Sequence, residues 1–387
     1  MAKTEKRPVR VTVIGDNFML PEKFITSLDR LDGIEFEIRQ LCQNWPDQDM
    51  THGYEPAARG NIQDHADPAD HADPADHADP ADHAGPADHA ELADLKEFFG
   101  MPEDVIPLIQ DAEIYIGHLA PITRSVIDAA PDLKLIGISR GGPVNIDLGA
   151  TRARGIQVVN TPGRNAGAVA EFTIGMILAQ TRLITTGHTA LSTTGDWSGH
   201  LYRADTTGRE LAEMTVGVIG YGHIGTKVVR HLKSFGCRIL VCDPYVQLSP
   251  KDLDDGVKQV SLETVLATAD IVTMHPRVTS ETTGMIGREQ FAQMKDGAYF
   301  INTARGPLVD YDALYDALTS GKLAGAGLET FGVEPVPPDW PLLKLHNVTL
   351  TPHIAGASVK TVTNAADMLA EEVRRFLNGE PLINLVP

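Results

Sequence analysis

The chain alternates between short apolar runs and amphipathic segments. V-R-V-T-V-I-G-D at 9–16 is rich in β-branched residues, and from Pro21 onward apolar positions recur at helical spacing. The same alternation continues in order through residues 34–41, 102–112, 113–118, 123–130, 133–139, 147–155 and 156–162. Strands that alternate with helices in this way predict a parallel sheet covered by helices.

A second series of the same kind begins at Thr215. Its apolar runs lie at 215–221, 238–244, 270–275, 298–304 and 348–353, and a long, mostly apolar helix over 166–183 precedes them. A last amphipathic helix near 358–377 is expected to return to the first domain, because the second sheet is complete without it. We therefore predict an α/β protein with two doubly wound parallel sheets, in which a second domain (164–354) is inserted into the first (1–163 and 355–387). A length of 387 residues suits two domains.

A low-complexity block interrupts the first domain. Within a predicted insertion at 60–93, residues 64–90 repeat D-H-A-D-P-A with a period of six and contain five histidines, eight aspartates and no lysine or arginine. Four prolines forbid a continuous helix, and no apolar side chain is larger than alanine, so the block cannot form a core. It is interpreted either as a polar spacer or as a His/Asp metal-binding tract. Histidines six residues apart lie roughly 19 Å from each other in a polyproline II helix, which favours the spacer, and no metal site is predicted.

The charge and the cysteines restrict the partners and the compartment. The formal net charge is −19, of which the block supplies −8, leaving −11 for the rest of the chain. This acidic excess argues against nucleic acids and anionic membranes as partners. The three cysteines form no C-x-x-C pair, no apolar run has the roughly 18 residues of a membrane span, and the N-terminus shows no signal-peptide pattern. These features predict a cytoplasmic protein.

A glycine-rich turn in the second series predicts a dinucleotide site. Residues 220–225 read G-Y-G-H-I-G, directly after the strand V-G-V-I and at the start of a helix. In this context the glycines permit a tight turn and a close backbone approach to a pyrophosphate, which binds at the helix N-terminus. Asp243 ends the next strand, 18 residues after Gly225. Its carboxylate would accept both hydroxyls of the adenosine ribose and repel a 2′-phosphate, which favours NAD over NADP.

Three residues that follow predicted strands are candidates for catalysis. Arg305 in I-N-T-A-R-G and His353 in T-P-H-I-A-G lie where the functional groups of open α/β sheets gather. A guanidinium binds a carboxylate through two parallel hydrogen bonds, and an imidazole exchanges protons near neutral pH. Glu334 in V-E-P is a loop carboxylate. Taken singly, each has an ordinary alternative: a surface ion pair for Arg305, a structural role for His353 and a solvated charge for Glu334.

From about Leu133 to the C-terminus, the chain resembles the D-isomer-specific 2-hydroxyacid dehydrogenases. The matching stretches include S-R-G-G-P-V-N-I-D-L, N-T-A-R-G-P-L-V-D, L-E-T-F-G-V-E-P and T-P-H-I-A-G, in the family's order and spacing. The resemblance implies a flavodoxin-like substrate domain with an inserted Rossmann NAD-binding domain. It also implies NAD-dependent interconversion of a small 2-hydroxy acid and its 2-keto acid by hydride transfer. In that reaction Arg305 binds the substrate, His353 is the acid/base, and Glu334 orients His353 and stabilises its protonated form.

The resemblance extends to the binding residues and to the assembly. For the cofactor it implies contacts from Gly220, Gly222, His223, Ile224, Gly225, Asp243, Thr303, Ala304, Glu329 and Gly356. For the substrate it implies contacts from His118, Arg140, Gly141 and Gly142, with backbone amides around the two glycines holding the carboxylate. Family members usually form homodimers through the cofactor domain, so a homodimer is the expected assembly.

Four features depart from the family pattern. The loop at 117–123 reads G-H-L-A-P-I-T and lacks the arginines of the phosphoglycerate-type members, and block 64–90 is foreign to the family. Glu329 replaces the usual aspartate that contacts the nicotinamide amide, and Arg277 replaces a usual proline. The missing arginines weaken 3-phosphoglycerate as a substrate.

Three other functions of the same fold are alternatives. Phosphoglycerate dehydrogenase stays open if Arg140 or Arg277 serves a phosphate. A formate dehydrogenase would carry glutamine where this chain has Glu334, so the glutamate argues against that activity. A non-catalytic NAD(H)-sensing corepressor also stays open, because such proteins can retain the three candidate residues.

Overall fold

The structure, a computed structural model, describes residues 7–44, 90–93 and 95–387. Apart from Ala90, the hexapeptide block lies outside the described residues, so its interpretation as a spacer stays a prediction. The chain divides into two compact units. The first holds the described residues up to Asn160 together with Leu369–Pro387, and the second holds Thr161–Met368.

The first unit is built on a five-stranded sheet whose paired strands all run parallel. Its strands are β1 (Val9–Asp16), β2 (Phe36–Gln43), β3 (Ile114–Gly117), β4 (Leu135–Ile138) and β5 (Gln157–Val159). Its helices are α1 (Pro21–Leu28), α2 (Pro102–Ile109), α3 (Arg124–Asp128) and α4 (Leu148–Ala153). The strand order β2-β1-β3-β4-β5 reverses between β1 and β3, which is where open α/β sheets form a ligand crevice.

The second unit is built on a seven-stranded parallel sheet. Its strands are β6 (Thr215–Ile219), β7 (Arg238–Cys242), β8 (Lys258–Gln259), β9 (Ile271–Met274), β10 (Ala298–Asn302), β11 (Leu323–Leu328) and β12 (Val348–Leu350). Its helices are α5 (Ala166–Thr181), α6 (Ile184–Thr194), α7 (Gly225–Lys233), α8 (Pro250–Asp254), α9 (Leu262–Thr268), α10 (Arg288–Gln293) and α11 (Tyr311–Thr319). The order β12-β11-β10-β9-β6-β7-β8 reverses between β9 and β6. The boundary between the units falls within the last helix, α12 (Val359–Leu377).

Burial explains why the strands appear in the sequence as continuous apolar runs. Every residue of β3, β4, β6 and β9 is buried, as expected for a parallel sheet with helices on both faces. Val228, Val229 and Leu232 of α7 pack in one apolar cluster with residues of β6. Their spacing places them on one face of the helix, opposite its charged residues.

Among the described residues, no single helix is long and apolar enough to cross a membrane; α5 and α6 meet that test only as a pair, with a bend of 69° between them. The two helices are covered differently. α5 contributes Ala170, Ile174 and Ile177 to the apolar core of the second unit, whereas no residue of α6 is buried.

The two parallel sheets confirm the predicted fold class. Two strands were not predicted. β11 reads L-A-G-A-G-L and contains none of the β-branched or aromatic residues that mark a strand, and β8 has only two residues. The domain limits at 163/164 and 354/355 stay predictions.

Candidate active site

The carboxyl end of the second sheet carries the three predicted catalytic residues. β10, β11 and β12 are neighbours in this sheet. Arg305 lies three residues after the end of β10, Glu334 six after the end of β11, and His353 three after the end of β12. Because the carboxyl ends of parallel strands meet at one edge, the fold collects these three loops.

His353 and Glu334 form a direct pair. Nδ1 of His353 lies 2.9 Å from Oε2 of Glu334, whose side chain is largely buried. The other carboxylate oxygen, Oε1, accepts a hydrogen bond from the backbone N–H of Phe331 at 2.8 Å. The carboxylate is therefore fixed by its own loop, and it holds one nitrogen of the imidazole in a set orientation.

Hydrogen bonds hold both the backbone and the side chain of Arg305 in place. Nδ2 of Asn302 donates to the carbonyl oxygen of Arg305 at 3.1 Å, and Oδ1 of Asn302 accepts from the amide of Ala304 at 3.1 Å. Nη1 of Arg305 donates to the carbonyl oxygen of Ala304 at 2.7 Å. The buried Asn302 thus fixes the turn from which the guanidinium projects.

Tyr311 connects the Arg305 loop with the Glu334 loop. Its hydroxyl accepts from Nδ2 of Asn302 at 3.3 Å and donates to the carbonyl oxygen of Thr330 at 2.5 Å. Its ring packs against Trp340 with a centroid distance of 5.4 Å. Burial raises the pKa of this phenol above its ordinary value, so the hydroxyl stays protonated and can donate.

Gly306 marks the closest approach of the same two loops. A Cβ added to Gly306 would lie 1.7 Å from the carbonyl oxygen of Phe331. A backbone oxygen cannot give way as a flexible side chain can, so any larger residue would separate the loops. The glycine of N-T-A-R-G is therefore required by the contact next to Arg305.

The glycine-rich turn leads from β6 into α7. Gly220 has φ of +89°, and an added Cβ would lie 2.8 Å from backbone atoms of His275 and Pro276. At Gly222 an added Cβ would meet no heavy atom within 4 Å. The turn is therefore closed on the strand side at Gly220 and open at Gly222, where a pyrophosphate approaches in dinucleotide sites. Burial lowers the pKa of the adjacent His275 to about 3, which keeps that imidazole neutral.

Asp243 follows β7 directly and is partly exposed. Its Oδ2 accepts from the amide of Tyr221 at 2.7 Å, and its Oδ1 accepts from the amides of Tyr245 and Val246 at 2.8 and 2.9 Å. Three backbone donors fix the carboxylate in one orientation, and its remaining lone pairs can still accept hydroxyl hydrogens. Together with the open glycine turn, this carboxylate fits the ribose and pyrophosphate of NAD.

The other predicted cofactor residues of the second unit lie in the same group of loops. Oγ1 of Thr303 is 2.7 Å from Oγ1 of Thr173, and a Cβ added to Gly356 would lie 2.6 Å from Nδ2 of Asn165. His223 is exposed and Ile224 is partly buried. Glu329 is buried, and its Oε1 accepts from the amide of Ala355 at 2.6 Å.

The predicted substrate residues belong to the first unit. His118 follows β3 and is buried, and its Nδ1 lies 2.6 Å from Oδ2 of the buried Asp16 at the end of β1. Arg140 forms an ion pair with Glu97. The carbonyl oxygen of Gly141 accepts from Nδ2 of Asn160 at 2.9 Å. At the neighbouring Gly142, an added Cβ would meet nothing closer than 4.0 Å.

Sequence reasoning missed the partners of these residues. Asp16 ends a strand, so the rule that selected Arg305 could have found it. Glu97, Asn302 and Tyr311 carry no comparable signal, because their roles depend on contacts that only the fold creates. Across residues 7–44, 90–93 and 95–387, no group of three or more His, Cys, Asp or Glu side chains is arranged to hold a metal ion.

The family model described as D-isomer specific 2-hydroxyacid dehydrogenase, NAD binding domain, matches residues 174–355. A glyoxylate reductase of Korarchaeum cryptofilum is 39% identical over 283 residues, which cover 73% of this chain and 85% of that protein. A D-3-phosphoglycerate dehydrogenase of Archaeoglobus fulgidus is 41% identical over 273 residues, or 70% of this chain. The chain spans only about half the length of this second relative, with 51% of it matched.

A solved structure shows the same fold. The crystal structure of a protein from Thermus thermophilus superposes with a TM-score of 0.70 at 28% identity, covering 97% of this chain and 100% of that one. The comparisons confirm two predictions: the two-domain fold class and NAD as the cofactor. The chain belongs to the D-isomer-specific 2-hydroxyacid dehydrogenase family.

Proposed function

We propose that the chain interconverts a small, unphosphorylated 2-hydroxy acid and its 2-keto acid, with Arg305, Glu334 and His353 as catalytic residues. The observation that carries the proposal is the 2.9 Å pair of His353 and Glu334 at the carboxyl edge of the second sheet. A histidine held by a carboxylate is an effective acid and base near neutral pH. The same edge carries Arg305, the group suited to binding a carboxylate.

Each residue has a separate task in reduction. Reduced NAD supplies the hydride when it is bound. His353 donates a proton to the keto oxygen from Nε2, the ring nitrogen that Glu334 does not hold. Arg305 binds the substrate carboxylate through its fork and polarises the keto group. In the opposite direction, neutral His353 accepts the proton of the substrate hydroxyl.

The first unit supports an unphosphorylated substrate. The guanidinium of Arg140 is paired with Glu97, and a cation already neutralised by a carboxylate is a weak site for a phosphate. His118, Gly141 and Gly142 of the first unit stay candidates for substrate binding. The name of the glyoxylate reductase relative fits a substrate of this size.

A panel of keto acids tests the proposal. NADH oxidation should be measured with glyoxylate, hydroxypyruvate, pyruvate, 2-oxoglutarate and 3-phosphohydroxypyruvate. Turnover of a small unphosphorylated acid is expected to exceed that of the phosphorylated one. NADH binding without turnover on any acid would instead support the sensing role, and a preference for the phosphorylated acid would support phosphoglycerate dehydrogenase.

The chain should prefer NADH to NADPH. The carboxylate of Asp243, oriented by three backbone amides, would accept the ribose hydroxyls and repel a 2′-phosphate. The kcat/KM values for the two cofactors measure the preference. Equal values, or a preference for NADPH, would overturn the role of Asp243, and the exposed Arg277 would then be the candidate partner of the 2′-phosphate.

Glu334→Gln should shift the pH profile of reduction. Glutamine keeps the size of the side chain but removes the charge that stabilises protonated His353. Reduction requires the protonated imidazole. As the pH is raised, the variant should therefore lose its reduction activity at a lower pH than the wild type does. Oxidation requires the neutral imidazole, so its activity should extend to lower pH in the same variant. Profiles of kcat/KM in both directions check this, and unshifted profiles would remove Glu334 from this role.

A cytoplasmic homodimer is the assembly that we propose. Trp197 and Tyr202, which follow α6, are 85% and 95% exposed. Large exposed aromatic side chains beside a helix without buried residues are typical of a protein interface. Sedimentation should give twice the 41.8 kDa of the chain, and Trp197→Asp should shift the measured mass toward that of the monomer.

The three cysteines are free thiols, which suits a reducing compartment such as the proposed cytoplasm.

A further inference from the structure

Glu329 connects the three loops that carry the candidate catalytic residues. It directly follows β11, and its backbone N–H donates to the carbonyl oxygen of Asn302 at the end of β10, at 3.1 Å. Its Oε1 accepts from the amide of Ala355, two residues after His353, at 2.6 Å. One residue therefore contacts both the turn before Arg305 and the loop of His353.

The amide of Ala355 depends on this contact. Ala355 is buried, with 3% of its surface exposed, and a buried N–H without an acceptor is costly. The loop around it is tight: the amide of Ile354 donates to Pro352 at 2.7 Å, and that of Ala357 donates to Ile354 at 2.9 Å. An acceptor at Ala355 therefore constrains the backbone that carries His353.

The length of the side chain decides whether the contact exists. The family resemblance gives aspartate as the usual residue at this position. Aspartate is shorter by one carbon–carbon bond, about 1.5 Å, so from the same backbone position its oxygens would fall outside hydrogen-bond distance of this amide. The contact therefore belongs to the glutamate of this chain.

The charged groups around Glu329 are those of the candidate active site. Glu329 is 1% exposed, and its burial raises the pKa of the carboxyl group. The positive charges of His353 and Arg305 lower that pKa, while Glu334 raises it. Glu329 is thus within electrostatic range of all three candidate catalytic residues.

We propose that Glu329 is a positioning residue, which fixes the loop 352–357 through the amide of Ala355 and thereby holds His353 in place for proton transfer. This role differs from the contact with the nicotinamide amide that the resemblance implies. It rests on the proposed function, because it matters only if His353 is the proton donor.

Two substitutions of Glu329 separate the effect of side-chain length from the effect of charge. In Glu329→Gln, the amide oxygen still accepts from Ala355, so the loss of kcat should be smaller than in Glu329→Asp. In Glu329→Asp the contact is lost, and kcat should fall roughly 10- to 100-fold, as for displaced supporting groups, with the KM for NADH nearly unchanged. Glu289→Asp, the same change at an exposed position of α10, is the matched control.

Three outcomes would overturn the proposal: a raised KM for NADH with normal kcat in Glu329→Asp, equal losses in the Asp and Gln variants, or normal kinetics in both. If Glu329→Asp does not fold, hydrogen–deuterium exchange of residues 352–357 in Glu329→Ala and Glu329→Gln replaces it. Faster exchange in the alanine variant alone is expected, and equal exchange overturns the proposal. Failure of the proposed function is seen separately, as turnover that survives in His353→Ala.

Discussion

His353→Ala is expected to lower kcat for keto-acid reduction by roughly 10²–10⁴-fold, the usual contribution of a positioned general acid. The alanine removes the only proton donor that the proposed mechanism assigns to the keto oxygen. NADH binding should survive, because the glycine turn at 220–225 and Asp243 lie in loops after β6 and β7. Steady-state kinetics and a fluorescence titration with NADH measure the two effects separately.

His346→Ala is the matched control for this prediction. His346 is exposed and lies just before β12 in the same unit, so its loss should leave kcat unchanged. Near-wild-type turnover in His353→Ala would assign the proton donor to another group. If His353→Ala loses both NADH binding and turnover, the substitution disturbs the cofactor site rather than proton transfer alone.

The fold class was readable from the sequence because the physical signals were strong. Fully buried parallel strands such as β6 and β9 appear as runs rich in β-branched residues, and the glycine turn identifies the first strand–helix unit of a dinucleotide domain. β11 was missed because its sequence, L-A-G-A-G-L, lacks β-branched residues. Close packing against neighbouring elements requires small residues there. A Cβ at Gly325, for example, would lie 2.3 Å from Oε1 of Gln180 on α5. A contact between residues so far apart along the chain leaves no local pattern.

The candidate site was predictable residue by residue but not as an arrangement. Arg305 and His353 follow strands, which is a local signal, and the family resemblance added Glu334. The 2.9 Å contact between His353 and Glu334 depends on the adjacency of β11 and β12. The pairing of Arg140 with Glu97 depends on the fold of the first unit. Both contacts bear on the proposed function, in which the first supports proton transfer and the second argues against a phosphate at Arg140.

Arg305→Lys should lower kcat/KM by roughly 10- to 100-fold, which corresponds to losing one charge-assisted hydrogen bond of about 1.5–3 kcal/mol. Nη1 of Arg305 already donates to the carbonyl oxygen of Ala304 at 2.7 Å, and the remaining N–H groups of the rigid fork can bind a carboxylate in parallel. A lysine ammonium is a single point charge and cannot make both contacts in this geometry. The loss should therefore appear in both KM and kcat, because binding and polarisation of the keto group depend on the same fork.

The same substitution at Arg288 shows whether geometry or charge decides the result. Arg288 forms an ion pair with Asp316 in which both side chains are more than half exposed, and such surface pairs contribute little. Arg288→Lys should therefore leave both kinetic constants unchanged. If Arg305→Lys also keeps wild-type kinetics, a positive charge alone is sufficient at this position, and the bidentate role of Arg305 is wrong. If KM rises while kcat stays constant, Arg305 binds the carboxylate but does not polarise the keto group, because an interaction made only in the transition state would lower kcat.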